Sequence, residues 1–317
     1  MKAILIRDFG DADRLHLEEM PDPTPAQGEI TIDVAYAGVG LVDVLLRGGW
    51  FDFAKPPLVP GIEVSGTVRA LGDGVTGLVL GQRVAALLTD FTSGGMGGYA
   101  EIARAKAALT VSLAPEDEFT TAAATVVNGA TAFMAVEGVV RGAVVAISGA
   151  SGGLGQSLIT AAVASGAGRI VAISGSPARR AALLQAGATA VVTPREFEGF
   201  AEPLDVAFDT VGGPLRLALL RHLRPAGRLV LLGNASAVDE VLSGDEIWMR
   251  SVIVEGLSTG GISHLAPERI AKAARSALVA ARGPSEKIAV FDLDRAANAH
   301  RALEARQGPG KFVLRVT

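Results

Sequence analysis

The stretch that decides the fold is Ala143-Val144-Val145-Ala146-Ile147-Ser148-Gly149-Ala150-Ser151-Gly152-Gly153-Leu154-Gly155. Its apolar run reads as a buried strand, and the glycines permit a tight turn into a helix. The helix expected over Gly153–Ser165 leads to a second apolar run, Arg169-Ile170-Val171-Ala172-Ile173. Strand, glycine turn, helix and strand form the βαβ unit that cradles a dinucleotide pyrophosphate. The backbone N–H groups and dipole of the helix N-terminus favour the anion there. A glycine turn alone is weak evidence, but here its whole structural context is in place.

The second run ends in Ser174-Gly175-Ser176, with Arg179 and Arg180 just beyond. A carboxylate for the ribose 2′-hydroxyl normally stands at this point, and it would repel a 2′-phosphate. Serine hydroxyls, backbone donors and the Arg179 fork suit that phosphate instead, so the expected cofactor is NADPH rather than NADH. The plainer alternative makes Arg179 and Arg180 solvated helix residues.

Outward from this unit, strands are expected at Ala143–Ser148, Ile170–Ser174, Ala190–Thr193, Asp205–Asp209, Arg228–Leu232 and Val252–Glu255. Helices fall at Pro177–Ala186 and Pro214–Leu223, the first with Ser176 as N-cap, Pro177 at its first position and Gly187 closing it. Strands joined by crossover helices make an α/β, doubly wound parallel sheet. Before it, Thr121–Val140 reads as a buried core helix. The first hundred residues are β-rich, with strands at Lys2–Ile6, Glu29–Ala37, Glu63–Leu71, Arg83–Leu87 and Tyr99–Ala103. Turn signals such as Pro21-Asp22-Pro23, Gly72-Asp73-Gly74 and Gly94-Gly95 separate them. The tail (helix Pro267–Ala281, strand Lys287–Phe291, helix Asp294–Ala305, strand Lys311–Val316) exceeds one nucleotide domain and is expected to fold back onto the β-rich part. Residues 1–122 with 260–317 would then form one domain and 123–259 the inserted other, with a cleft between them.

The formal charge of −4 over 317 residues gives no electrostatic case for nucleic acid or an acidic membrane. Met1-Lys2-Ala3-Ile4-Leu5-Ile6 runs straight into Arg7-Asp8, too short for a signal peptide, so a cytoplasmic protein is expected. With no cysteine, thiolate nucleophiles and Cys-ligated zinc are excluded. His16, His222, His264 and His300 lack ligand spacing and read as surface or packing residues. No metal is expected.

The chain resembles the zinc-independent quinone oxidoreductase branch, which includes zeta-crystallin, of the medium-chain dehydrogenase/reductase superfamily. The resemblance covers essentially the whole chain. It rests on Tyr36-Ala37-Gly38-Val39-Gly40-Leu41-Val42-Asp43 with Arg47, on Pro60-Gly61-Ile62-Glu63-Val64-Ser65-Gly66-Thr67-Val68, and on Gly81-Gln82-Arg83-Val84. Gly97-Gly98-Tyr99-Ala100-Glu101, Thr131-Ala132, the glycine turn, Phe208-Asp209-Thr210-Val211-Gly212-Gly213 and Gly310-Lys311-Phe312-Val313-Leu314 follow in family order. It implies a Rossmann domain inserted in a GroES-like catalytic domain, and a homodimer. It places Thr131 at the nicotinamide carboxamide and Ser151, Gly152, Gly153 and Leu154 at the pyrophosphate. Ser174, Gly175, Ser176 and Arg179 lie at the 2′-phosphate, where relatives usually carry Lys for Arg179. Val211, Gly233 and Asn234 flank the adenosine or nicotinamide side, and Leu257-Ser258-Thr259 line the far wall.

Zinc-dependent relatives carry Gly-His-Glu where this chain has Gly61-Ile62-Glu63. Hydride transfer to a quinone or an α,β-unsaturated carbonyl is then expected without a Lewis acid. The family's Asn and Tyr near substrate are replaced by Gly40 and Phe51, and its usual Tyr or His beside the adenine by Pro194. The acceptor pocket becomes more apolar, with Trp50 or Phe51 as a wall and Asn128 open to helix packing or to substrate contact. Asp43 and Arg47 read as a local ion pair, Glu63 and Asp209 as structural hydrogen-bonding groups, and Lys311 as a surface lysine at a strand end, with reach into the cleft as its alternative. The alternatives are an enoyl-thioester reductase and a non-catalytic NADPH-binding protein.

Overall fold

The first part of the chain builds β1 (Lys2–Leu5), β2 (His16–Glu19), β3 (Glu29–Val39), α1 (Leu41–Arg47), β4 (Glu63–Leu71), β5 (Arg83–Leu87), β6 (Ile102–Lys106), β7 (Thr110–Ser112) and α2 (Phe119–Ala135). Strands and helices then alternate: β8 (Val144–Ile147), α3 (Gly153–Ala164), β9 (Arg169–Ile173), α4 (Arg180–Gln185), β10 (Ala190–Val192), α5 (Pro194–Glu198), β11 (Leu204–Asp209), α6 (Gly213–His222), β12 (Leu223–Leu231), α7 (Gly244–Met249) and β13 (Ile253–Gly256). The chain ends in α8 (Pro267–Ala280), β14 (Ala289–Asp292), α9 (Ala296–Glu304) and β15 (Phe312–Arg315). This computed structural model describes residues 1–89, 95–282, 288–308 and 310–316; Gly94 and Lys287, read above as a turn and a strand start, lie outside them.

β8 to β13 form one parallel sheet in the order β10-β9-β8-β11-β12-β13. From β8 the chain winds outward first through β9 and β10, then on the other side through β11, β12 and β13, so the topological switch lies between β8 and β11. Alternate residues of the buried strands face opposite layers. Val145, Ile147, Ile170, Ala172 and Phe208 pack with Leu158 and Ile159 of α3, whereas Ala146, Val171, Ala207 and Leu229 pack with Phe197 of α5 and Leu219 of α6. Leu158, Phe197 and Phe208 are fully buried. Each such side chain contributes about 1.5–3 kcal/mol by leaving water.

The other large sheet has the order β14-β15-β3-β4-β5-β7, with β6 also on β3. β15 runs antiparallel to β3, pairing Phe312 with Val39 and Leu314 with Ala37. The C-terminal segment thus completes a sheet begun near the N-terminus, and the parallel sheet is encoded between its two parts. Compact packing separates Met1–Ala130, Gly260–Arg282 and the C-terminal segment from Thr131–Thr259. Among the described residues no helix is long and apolar enough to cross a membrane.

Several expected elements shift, among them the strand read as Arg228–Leu232, which begins at Leu223. The helix read as Thr121–Val140 ends at Ala135, and Gly138 in the turn beyond has φ +79°. The strand read as Tyr99–Ala103 begins at Ile102, because Tyr99–Glu101 bond across to β1 instead: Ile4 N–H donates to Tyr99 O at 2.8 Å and Glu101 N–H to Lys2 O at 2.9 Å. The Pro177–Ala186 helix opens as a 3-10 turn, Pro177–Arg179, before α4. Ser176 stands at the cap position, but its side chain accepts no bond from that turn.

Candidate dinucleotide and acceptor sites

The glycine turn joins the carboxyl end of β8 to α3. Gly149 has φ +61°, and a Cβ there would lie 2.5 Å from Thr210 Oγ1. A Cβ on Gly155 would lie 2.3 Å from Gly149 O and 2.6 Å from Ala150 Cα, so the helix start sits directly on the turn. Gln156 Nε2 donates to Ser151 O at 2.9 Å and fixes the turn from the helix side. Gly152 is the N-cap of α3 with no side-chain cap, which leaves the first amides, on Gly153 and Leu154, for an external acceptor. A Cβ at Gly152 would meet only Gly149 O, at 3.4 Å. A backbone cradle at a twelve-residue helix start, kept open by glycine, fits a pyrophosphate.

At the end of β9, Ser174 is buried and its Oγ accepts from Ser176 N–H at 3.2 Å. Gly175 is exposed, with no atom within 4 Å of a built Cβ. Arg179 is half-buried one turn later, while Arg180 turns back, its Nη1 donating to Val191 O at 2.6 Å. Arg180 thus ties α4 to β10.

Asp209, at the end of β11, organises the next loop. Its Oδ1 accepts from Ser148 Oγ (2.9 Å), Val211 N–H (3.0 Å) and Gly212 N–H (3.0 Å), and Oδ2 accepts from Arg216 Nε at 2.8 Å. Arg216 in turn donates to Gly233 O at 3.1 Å and pairs with Asp239 at 2.7 Å. Asn234, with its amide nitrogen facing the surrounding acceptors, donates to Val211 O (3.1 Å), Ser236 Oγ (3.1 Å) and Val238 O (3.0 Å). Val211, Gly233 and Asn234 are thus one braced unit, and Asp209 is the structural group the sequence indicated.

The loop after β13 brings Thr259 to Thr131 of α2, with their hydroxyls 2.6 Å apart and both side chains buried. Leu257 N–H donates to Leu231 O at 3.0 Å, tying the same loop to β12. The segments 148–154, 174–176, 210–212, 233–234 and 257–259 all follow the carboxyl ends of parallel strands of one sheet. That edge, at the switch point, is where doubly wound sheets bind their ligands.

The acceptor candidates belong to the other unit. Gly40 caps α1; a Cβ there would meet only Asp43 Oδ2, at 3.7 Å, so the position has room for a side chain. Trp50 is 56% exposed, and the rings of Phe51 and Phe53 stack with centroids 5.1 Å apart. Asn128 is half-buried on α2, and its side chain hydrogen-bonds to no described residue. Beside it, Val127 N–H donates to Glu63 Oε2 at 3.0 Å.

Two sequence expectations fail in this unit. Asp43 and Arg47 are not an ion pair: Asp43 accepts from the amides of Gly40 (2.8 Å) and Gly61 (3.1 Å), while Arg47 pairs with Glu304 at 2.6 Å. Both side chains are buried and turned toward different partners across the fold. Lys311 is not a surface lysine but a buried one, paired with the buried Glu63. Next to them His300, read as a surface or packing histidine, is fully buried and packs edge-on against Tyr99 of the Gly97–Glu101 motif. Tyr99 Oη and His300 Nε2 are 3.1 Å apart, and His300 Nδ1 lies 3.2 Å from Arg47 Nη1. Burial pushes the Asp43 carboxyl up to about 7, against the two amides that favour its ionised form. Burial, helped by Arg47, pushes His300 down to about 3, and burial with Asp43 and Glu63 drives Tyr99 well above its ordinary value.

Residues 26–115 match the alcohol dehydrogenase GroES-like domain and residues 153–279 match zinc-binding dehydrogenases. Acryloyl-coenzyme A reductase of Metallosphaera sedula is 30% identical over 269 residues, covering 74% of this chain and 77% of that one. A mycobacterial quinone oxidoreductase superposes over 100% of both chains with a TM-score of 0.87 at 27% identity. The chain belongs to the medium-chain dehydrogenase/reductase superfamily, in its quinone oxidoreductase branch. A second mycobacterial structure, complexed with NADPH, has a TM-score of 0.89 at 27% identity over 100% of both chains. The chain spans only 37% of the length of two longer mammalian relatives, which it matches over 162 residues at 33% identity.

Ile62 stands beside Glu63, there is no cysteine, and among the described residues no three His, Asp or Glu side chains gather as a metal site requires. Glu63, the one acidic residue of that motif, already holds Lys311 and the Val127 amide.

Proposed function

We propose that this chain binds NADPH and reduces a quinone or an α,β-unsaturated carbonyl by hydride transfer, without a metal. The observation that carries this reading is the convergence of five loops on the switch-point edge of the parallel sheet, around an uncapped helix start, with Ser174 where a carboxylate would select NADH. The related mycobacterial structure complexed with NADPH supports the choice of cofactor.

The amides of Gly153 and Leu154, with Ser151 and Gly152 shaping the turn, would hold the pyrophosphate, and Ser174, Gly175, Ser176 and Arg179 the 2′-phosphate. Thr131, its hydroxyl fixed by Thr259, would orient the carboxamide. Val211, Gly233, Asn234, Leu257 and Ser258 would line the remaining walls. NADPH supplies a hydride at its nicotinamide ring. The acceptor would meet a largely apolar surface from Trp50 and Phe51, open at Gly40, with the Asn128 amide as the neutral donor for its oxygen. An electron-poor apolar acceptor suits this surface better than a charged one. We also propose a homodimer, supported by the exposed Ile253 on edge strand β13 and the exposed Trp248 and Met249 on α7.

The similarity to acryloyl-coenzyme A reductase favours a second reading, an enoyl-thioester reductase. NADPH oxidation with 1,4-naphthoquinone, an alkyl vinyl ketone and crotonyl-CoA separates the two. Turnover of the first two is expected. Preference for crotonyl-CoA establishes the second reading, and NADPH binding with no turnover of any acceptor defeats both.

A further inference from the structure

Helix α1 is clamped at both ends by one buried polar ring. At its first turn Asp43 grips the amide of its own N-cap, Gly40, at 2.8 Å, and that of Gly61 at 3.1 Å. One turn later Arg47 donates from Nε to Gly10 O at 3.0 Å and pairs with Glu304 at 2.6 Å. Arginine is a donor only, so its Nη1 contact at 3.2 Å makes His300 Nδ1 an acceptor and leaves the ring proton on Nε2. Nε2–H then donates to Tyr99 Oη at 3.1 Å, which turns the tyrosine's own proton away from the histidine. The Asp43 carboxyl is the next acidic neighbour of the Tyr99 hydroxyl and helps to push it up. Arg47 and His300 thus both donate toward Tyr99, whose own proton is left for the Asp43 side.

Gly61 locks the arrangement from the other side. It has φ +106°, and a Cβ there would lie 2.6 Å from the Tyr99 ring and 2.7 Å from Gly98 N. The charged groups of this ring and of the elements packed on it are Asp43 and Arg47 (α1), Glu63 (β4), Glu304 (α9) and Lys311 before β15; Tyr99 and His300 are the neutral titratable ones. Asp43 and Arg47 have no exposed surface to speak of, whereas the opposite side of α1 exposes Leu41 and Val42 and leads to Trp50. Trp50 N–H donates to Leu45 O at 3.0 Å, so its backbone moves with the helix.

We propose that Asp43 is a positioning residue: the donor chain Arg47–His300–Tyr99 aims its carboxylate at the Gly40 and Gly61 amides, and this grip sets the Gly40–Phe51 segment for the acceptor. The inference rests on the reading of that segment as the acceptor site. A neutral Asp43 accepts those bonds more weakly, and its carboxyl, raised to about 7, changes charge near neutrality. Segment geometry and acceptor affinity therefore depend on pH, while NADPH affinity does not.

The test uses full-length protein with Trp248→Phe, which leaves Trp50 as the single tryptophan. Trp50 emission is titrated from about pH 5.5 to 8.5, and KM for 1,4-naphthoquinone and Kd for NADPH are measured over the same range. The expected result is an emission inflection near neutrality and a KM that rises about tenfold toward low pH, with Kd for NADPH flat; one pH unit is a factor of ten in the ionised fraction. Asp43→Asn should abolish both changes. Tyr99→Phe, which removes one donor and keeps the ring, should move the inflection upward. An inflection that survives Asp43→Asn, or stays put in Tyr99→Phe, overturns the proposal. If Asp43→Asn does not fold, the Tyr99→Phe shift alone decides. A missing quinone turnover with the emission behaviour intact defeats the acceptor reading and leaves the grip on the segment standing.

Discussion

His300 and Asp43 have opposed titrations whose effects on stability cancel in the native protein and separate on mutation. The Asp43 carboxyl is raised from 3.8 to about 7, and the His300 imidazole is lowered from 6.5 to about 3. Across the window from about pH 4 to 6.5, native Asp43 keeps a proton the unfolded chain has released, so this group makes stability fall as pH rises. Its contribution is full below the unfolded value and is lost by about pH 7. Over the same window native His300 lacks a proton that the unfolded chain binds, so this group makes stability rise with pH. Its contribution is full above the unfolded value and is lost toward about pH 3. Each slope is about 1.4 kcal/mol per pH unit, with opposite signs. Asp43→Asn should therefore make the plot of unfolding free energy against pH steeper upward by about 1.4 kcal/mol per unit relative to the parent. His300→Gln, which can still accept from Arg47 and donate to Tyr99, should tilt it downward by as much. Between about pH 4.5 and 6 the two variants then diverge from the parent by about 2 kcal/mol in opposite directions. Urea denaturation followed by circular dichroism at four pH values measures these slopes. Variant curves running parallel to the parent, whatever their vertical offset, would refute buried titration of either group.

Other perturbations test the dinucleotide face. Arg179→Ala should reduce the preference for NADPH over NADH by about tenfold or more through loss of a charge-assisted fork, read as the ratio of kcat/KM values, with an unchanged ratio placing Arg179 outside the 2′-phosphate site. Gly155→Ala puts a Cβ 2.3 Å from Gly149 O, between two stretches of backbone that cannot yield cheaply. It should cost about 1–3 kcal/mol in denaturation and weaken NADPH binding measured by calorimetry. Asp209→Asn leaves the mostly buried Arg216 without its buried partner and weakens the acceptor for Val211 and Gly212. A loss of about 3–5 kcal/mol is expected, and a loss below 1 kcal/mol would show that Asp239 alone satisfies the guanidinium.

Where a residue's role depends on close neighbours in the chain, the sequence was legible. The apolar runs of β8, β9 and β11 are buried strands, and the glycines that follow β8 enforce a tight approach whichever protein surrounds them. Two short helices were legible and missed: Thr193-Pro194-Arg195-Glu196 is a capping box that opens α5, with Glu196 N–H donating to Thr193 Oγ1 at 3.2 Å. Ser243, three residues before Glu246, likewise caps α7. The family's order of motifs points to Thr131 and the loop at Leu257 as site candidates.

By itself, then, the sequence determined the dinucleotide turn, the alternation of strands and helices, and the serine in place of an acid after β9. Backbone conformation and hydrophobic periodicity are short-range properties, carried within a turn or two of chain. Only the tertiary structure decided what the charged residues do. Asp43 and Arg47 stand four apart, as an ion pair on a helix would, yet Asp43 takes backbone amides and Arg47 finds His300, 253 positions away, much as Glu63 finds Lys311, 248 positions away. Inside the fold an unpaired charge is far costlier than at the surface, so buried charges take whichever partner the packing delivers. The polar ring beneath α1 follows from that, and no spacing in the chain announces it.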